Sequence, residues 1–117
     1  MEDTKAVEFF QGVLSKTRAG RIRWQPTAEG SEYIAAIGGQ FTLSISHYQT
    51  TNAYSYVLDP AYALILKDQE SRELVKVTDR DVGIVERDIG DLYETARRQA
   101  LQVDDKIDQV LGELSKL

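Results

Sequence analysis

The chain has 117 residues, of which 42% are hydrophobic and 28% charged, and its formal net charge is −5. This length and composition predict one folded domain rather than a disordered chain or two independent cores. No apolar run approaches the roughly 20 residues that span a bilayer, and the acidic N-terminal residues do not fit a secretory signal. Cysteine is absent, so we expect no disulfides and no thiolate chemistry. A cytoplasmic location fits all of these features together.

The excess of negative over positive charge lies entirely in the second half of the chain. Residues 1–58 contain five acidic and five basic side chains, whereas residues 59–117 contain 14 acidic and nine basic ones. An acidic surface repels phosphate backbones, which argues against general nucleic-acid binding.

The first predicted element is a helix over residues 4–19, because apolar side chains recur there with the helical period of 3.6. Gly20 is expected to end this helix, since glycine adopts the left-handed conformation at little cost. The predicted buried face consists of Ala6, Val7, Phe10, Val13, Leu14 and Thr17.

Alternating polar and apolar residues predict a series of strands after this helix. Residues 21–24 form the first, which Pro26 is expected to end. Residues 32–37 and 40–48 flank Gly38 and Gly39, a pair typical of tight hairpin turns. In the second arm Phe41, Leu43 and Ile45 are expected to face the core. Thr42, Ser44 and Ser46 are expected to face water.

Residues 53–58, 61–67 and 73–77 also have the composition of strands, and a polar connection leads from them to the last helix. Asp88 is the expected N-cap of that helix, with Asp91 three residues on. The predicted fold class is therefore α+β in a single domain spanning residues 1–117. It comprises an N-terminal helix, an antiparallel meander of four to five strands, and a long C-terminal helix packed on one face of the sheet.

The closing segment, LYETARRQALQVDDKIDQVLGELSKL, carries one apolar stripe in which the spacings alternate between four and three residues. A continuous helix of about 29 residues would extend about 43 Å, beyond the roughly 35 Å diameter of a compact chain of this size. We therefore expect its far end to contact a partner helix or a second copy of the chain. The predicted interface residues are Val103, Ile107, Val110, Leu111, Leu114 and Leu117. If the helix instead ends near Gly112, the stripe fits across its own sheet as core.

The most unusual local composition is basic. Lys16, Arg18, Arg21 and Arg23 fall close together beside Trp24, so this segment could bind a small anionic ligand or a nucleotide through arginine donors and a stacking face. Alternatively, the lysine and first arginine complement a helix C-terminus and the other two arginines form the outward half of a strand. The predicted ligand-binding residues are Arg18, Arg21, Arg23, Trp24, His47, Tyr54 and Tyr56.

His47 is the only histidine, and it is either an acid–base group or a hydrogen-bonded strand residue. No nucleophile pattern, zinc spacing or phosphate-binding glycine loop accompanies it. The acidic residues from Asp79 to Asp91 do not match a calcium loop. We therefore expect no enzyme, no catalytic residues, no metal and no cofactor.

The order of elements and the closing segment quoted above resemble small uncharacterised bacterial and phage α+β proteins with a similar C-terminal helix. The resemblance implies a prokaryotic or phage origin and no particular activity. The sequence thus predicts a non-enzymatic protein–protein interaction domain, homodimeric through its C-terminal helix and without a membrane partner. An anionic-ligand module is the alternative.

Overall fold

The computed structural model describes residues 2–48 and 61–117. In this part of the chain a five-stranded antiparallel sheet follows one helix and precedes two others. The predicted α+β class and the meander are confirmed, whereas the strand predicted at residues 53–58 lies outside the described residues. The elements in chain order are α1 (Glu2–Arg18), β1 (Gln25–Pro26), β2 (Glu32–Ile37), β3 (Phe41–His47), β4 (Tyr62–Lys67), β5 (Glu73–Thr78), α2 (Glu86–Leu101) and α3 (Val103–Leu114).

The strands are hydrogen-bonded in the order in which they occur along the chain. The predicted hairpin joins β2 to β3, and Gly38 and Gly39 both have positive φ, 63° and 76°. Glycine adopts this conformation without a steric penalty, so the pair turns the chain tightly. One row of buried side chains crosses the four longer strands and forms the centre of the core: Tyr33, Ile45, Leu64 and Val77.

Helix α1 ends as the sequence predicts. The Arg21 amide donates to the Lys16 carbonyl at 2.9 Å and the Gly20 amide donates to the Thr17 carbonyl at 3.0 Å, while Gly20 has a φ of 72°. This is the Schellman arrangement, which satisfies the last carbonyls of a helix. Phe10 and Leu14 are buried on its inner face.

The strand predicted at residues 21–24 is wrong. Ile22 and Trp24 are buried and the arginines beside them are exposed, so the alternation is correct, but within residues 2–48 and 61–117 this segment pairs with no strand. The pairing of β1 with β2 begins at Gln25 and includes Pro26, opposite Tyr33. Proline is tolerated there because β1 is an edge strand.

The solvent-facing side predicted for β3 is also wrong at the middle of the sheet. Ser44 and Ser46 are only 5% and 6% exposed, and Ala63 on β4 is fully buried. The Ser44 hydroxyl donates to the carboxylate of Glu32 on β2 at 2.8 Å. That bond satisfies the serine, which is why a polar side chain can be buried there.

Helix α2 packs on one face of the sheet and against α1, burying Ile89, Leu92, Tyr93 and Ala96. Its N-cap is Val85, which makes no side-chain capping bond. The prediction that Asp88 is the cap is therefore wrong. Asp88 lies within the first turn, where a carboxylate interacts favourably with the helix dipole.

The predicted continuous C-terminal helix is divided in two. Helix α2 ends at Leu101, Gln102 adopts left-handed angles (φ 54°, ψ 46°), and α3 begins at Val103. Within residues 2–48 and 61–117, no helix combines the length and apolar character needed to cross a membrane.

Candidate functional site

Gln102 ends α2 in the way a glycine usually does. Its backbone N–H points at the carbonyls of Arg98 and Gln99, so the left-handed residue satisfies the end of the helix without a glycine. The Gln99 side chain donates to the Thr17 carbonyl of α1 at 3.0 Å. Arg98 forms an ion pair with Asp104 across the break. The end of α2 is thus held against α1, and the left-handed Gln102 interrupts the helix before α3 begins.

Helix α3 lies outside the core. It contacts α2, yet none of its residues is buried. Its apolar side chains are nevertheless those of a buried helix: Ile107 is 46% exposed, Val110 56%, Leu111 57% and Leu114 55%. A contiguous apolar patch of this kind on an exposed protein surface usually marks an interaction site.

The predicted interface residues are brought together on one face. Val103, Ile107, Val110 and Leu114 recur at helical spacing, and Leu117 continues the series beyond the end of α3. We call this set, with Leu111 beside it, the apolar stripe. A shallow groove follows its first half and is lined by Leu101, Val103, Lys106, Ile107, Val110 and Leu111.

Charged residues flank the apolar stripe unevenly. Asp104 and Asp105 lie in the first turn of α3, and Asp108 follows one turn later. On one flank of the stripe, Lys106 precedes Ile107 and Glu113 precedes Leu114. Glu113 pairs with Lys116 at 3.5 Å, with both side chains more than 70% exposed, and among the described residues Lys106 forms no ion pair. Sequence reasoning missed these two flanking residues, although the heptad spacing itself could have located them.

The predicted ligand residues do not form a common site. The Trp24 indole N–H donates to the Thr17 hydroxyl at 3.1 Å, and both side chains are buried, so the ring offers no open stacking face. Arg18 pairs with Asp91 of α2 at 2.8 Å. Arg21 and Arg23 are exposed. Tyr54 and Tyr56 lie outside the described residues.

His47 belongs to a packed aromatic cluster. Its ring stacks on Tyr62 with centroids 4.6 Å apart and lies 5.3 Å from Tyr93, which in turn lies 5.6 Å from Tyr33. Burial raises the pKa of Tyr93 above its ordinary value of 10.0, and the neighbouring Tyr33 adds to the shift. Within the described residues no hydrogen bond, ion pair or ring contact links this cluster to segment 18–24.

Residues 2–48 and 61–117 contain no group of three or more histidine, cysteine, aspartate or glutamate side chains arranged to hold a metal ion. Comparison of the chain with protein-family models, with curated proteins and with solved structures gave no match. Function is therefore inferred from the geometry of the chain itself.

Proposed function

We propose that this chain is a non-enzymatic protein–protein interaction domain that associates with a second copy of itself through α3. The observation that carries the proposal is the apolar stripe on a helix without a buried residue. Five large apolar side chains, from Ile107 to Leu117, are between 46% and 100% exposed. The free energy of the system falls when a partner covers apolar side chains that were exposed to water.

A second copy is favoured as the partner by the pattern of the stripe. Spacings that alternate between four and three residues let the side chains of one helix fit between those of another helix with the same spacing. An identical chain supplies that helix, and a two-fold axis makes the contact self-complementary, as in most homodimers.

The expected affinity is modest because the stripe is short. Full burial of one large apolar side chain contributes about 1.5–3 kcal/mol, so covering the exposed half of five on each copy contributes roughly 10 kcal/mol. Association costs at least about 4 kcal/mol. A remainder of about 6 kcal/mol corresponds to a Kd of tens of micromolar, so we expect a concentration-dependent equilibrium between monomer and dimer.

Sedimentation velocity tests the proposal. Between about 5 and 500 μM, a range that brackets the expected Kd, the mass is expected to rise from monomer toward dimer. Val110→Asp places a charge in the stripe and is expected to keep the protein monomeric throughout. Val82→Asp is the matched control, because Val82 is an exposed valine outside α3, and it is expected to associate like the parent chain.

The proposal fails if the parent chain remains monomeric over that range, or if Val110→Asp dimerises as well as Val82→Asp. Circular dichroism of both variants checks that the fold is retained.

The alternative, an anionic-ligand module built on segment 18–24, is less well supported because the Trp24 ring is buried and Arg18 is already paired with Asp91.

A further inference from the structure

We infer that the two α3 helices pair in antiparallel orientation, with Lys106 of each copy facing the partner's Glu113. This inference rests on the proposed self-association and specifies its geometry. It follows from the order of apolar and charged residues along α3.

The apolar residues match their counterparts when one helix is reversed. If Ile107 lies opposite the partner's Val110, then Val103 lies opposite the partner's Leu114. The two-fold axis then passes between Asp108 and Gln109, the middle of the 12-residue helix. The whole of α3 is therefore used.

The flanking charges complement one another in this arrangement. Lys106 and Glu113 lie on the same side of the stripe, seven residues apart, and in an antiparallel pair equivalent sides of the two stripes meet. Each lysine therefore faces a glutamate, and the symmetry makes two such pairs. The present Glu113–Lys116 pair is highly exposed, so it is weak and easily exchanged.

The opposite flank leaves no charge without a partner. Asp104 and Leu111 meet there, and Asp104 is already paired with Arg98 of its own chain. The Leu111 side chain then covers the apolar contact from the side.

A parallel pair lacks these advantages. Lys106 would then face the partner's Leu111 rather than a carboxylate. Asp104, Asp105 and Asp108 of the two copies would lie at the same level, where like charges repel. Reversal places Asp104 and Asp105 of the two copies at opposite ends of the interface, while Asp108 of each copy stays near the two-fold axis. It also sets the two helix dipoles in opposition, which is the favourable arrangement.

Disulfide trapping distinguishes the two orientations, and it is clean because the chain contains no cysteine. Val103→Cys and Leu114→Cys are prepared separately, mixed in equal amounts and oxidised. In the antiparallel pair the two copies of residue 103 lie roughly 16 Å apart along the helix axis, too far for a disulfide, which needs Cα atoms within about 7 Å. We therefore expect the mixed disulfide between the two variants, identified by mass, and little disulfide from either variant alone.

Val82→Cys measures cross-linking by random collision. Disulfides that form in each variant alone above that background would overturn the antiparallel orientation while leaving the self-association intact. No disulfide above background in any preparation would also overturn it. Failure of the self-association itself is recognised separately, by a parent chain that stays monomeric in sedimentation.

Charge reversal tests the proposed ion pairs independently. Lys106→Glu and Glu113→Lys each make both proposed ion pairs repulsive. Each is expected to raise the dimer Kd roughly 3- to 10-fold at low salt, because exposed pairs contribute little. The double variant is expected to return the dimer Kd to that of the parent chain. If only the net charge of −5 mattered, Glu113→Lys would tighten the dimer and Lys106→Glu would weaken it. Opposite effects of this kind, or a double variant that is not restored, would overturn the pairing.

Discussion

Thr17 connects helix α1 both to the segment before β1 and to helix α2. Its hydroxyl accepts the indole N–H of Trp24, and its carbonyl accepts the amide of Gln99 from the end of α2. Arg18, the next residue, pairs with Asp91 on the same helix. The basic segment with its tryptophan, which has the composition of a ligand site, therefore serves to attach α1 to α2. A buried indole needs a partner for its N–H, and here Thr17 is that partner.

Tyr93 makes the stability of the protein sensitive to alkaline pH. Its side chain is 8% exposed, and burial raises its pKa above 10.0. The unfolded chain therefore loses the Tyr93 proton at a lower pH than the folded protein does. The free energy of unfolding decreases as the pH rises through 10.0 toward the pKa that Tyr93 has in the folded protein. Phenylalanine has no proton to lose, so we expect Tyr93→Phe to show a smaller fall in the free energy of unfolding between neutral pH and a pH above 10. Urea unfolding at the two pH values measures this fall.

The control for this experiment is Tyr48→Phe. Tyr48 is 46% exposed, so Tyr48→Phe removes a tyrosine hydroxyl at the surface rather than one in the core. A Tyr93→Phe curve that runs parallel to that of the parent chain at all pH values would contradict the role given to Tyr93.

At the scale of the element, the break at Gln102 is the main feature that the sequence does not reveal. Glutamine is a good helix former, and the alternating spacing of apolar residues in the closing segment continues from α2 into α3 without a change at this position. The left-handed conformation is held by contacts that sequence periodicity does not report, such as the bond from Gln99 to α1. The sequence was more informative at Gly20, Gly38 and Gly39, where residue type alone favours the observed positive φ.

The other element predictions were correct where the local pattern decides the structure, and wrong where contacts with other elements decide it. Strands β2 to β5 and helix α1 follow their periodic patterns, because those patterns record which side faces the core. Segment 21–24 has a strand's alternation without a neighbour to pair with, and the burial of Ser44 depends on Glu32 from another strand. The predicted interface residues share one face of α3, as their spacing indicates, and that face is exposed. The flanking Lys106 and Glu113 are relevant to association only because α3 lies outside the core, which the spacing does not report.

Gln102→Gly tests the break directly. The left-handed conformation costs a non-glycine residue roughly 1–2 kcal/mol, and glycine's greater freedom in the unfolded chain offsets part of the gain. We expect Gln102→Gly to raise the free energy of unfolding by about 0.5–1 kcal/mol, measured from the urea midpoint. Gln102→Ala is expected to give no increase. Alanine is the best helix former. If Gln102→Ala raised the free energy of unfolding more than Gln102→Gly, the result would indicate one continuous helix.

At the scale of the whole molecule, the fold consists of a packed body and an arm. The body contains α1, the sheet and α2, whose buried side chains form one core. Helix α3 contributes no buried residue, so it adds apolar surface without adding to the core. An isolated helix of 12 residues is marginally stable in water, and a partner that covers the apolar stripe would therefore also stabilise the helix.

Removal of residues 103–117 separates the roles of body and arm. Because α3 has no buried residue, the truncated chain is expected to fold and to lose no more than about 1–2 kcal/mol of stability, a loss on the scale of a surface change with a few half-buried contacts. The full chain is expected to become more stable as its concentration rises, because the proposed dimer would draw the equilibrium toward the folded state. The truncated chain is expected to show no such dependence. Thermal unfolding of both chains at about 10 and 300 μM, on either side of the estimated Kd, measures the difference. If the two chains respond equally to concentration, any self-association uses the body rather than α3.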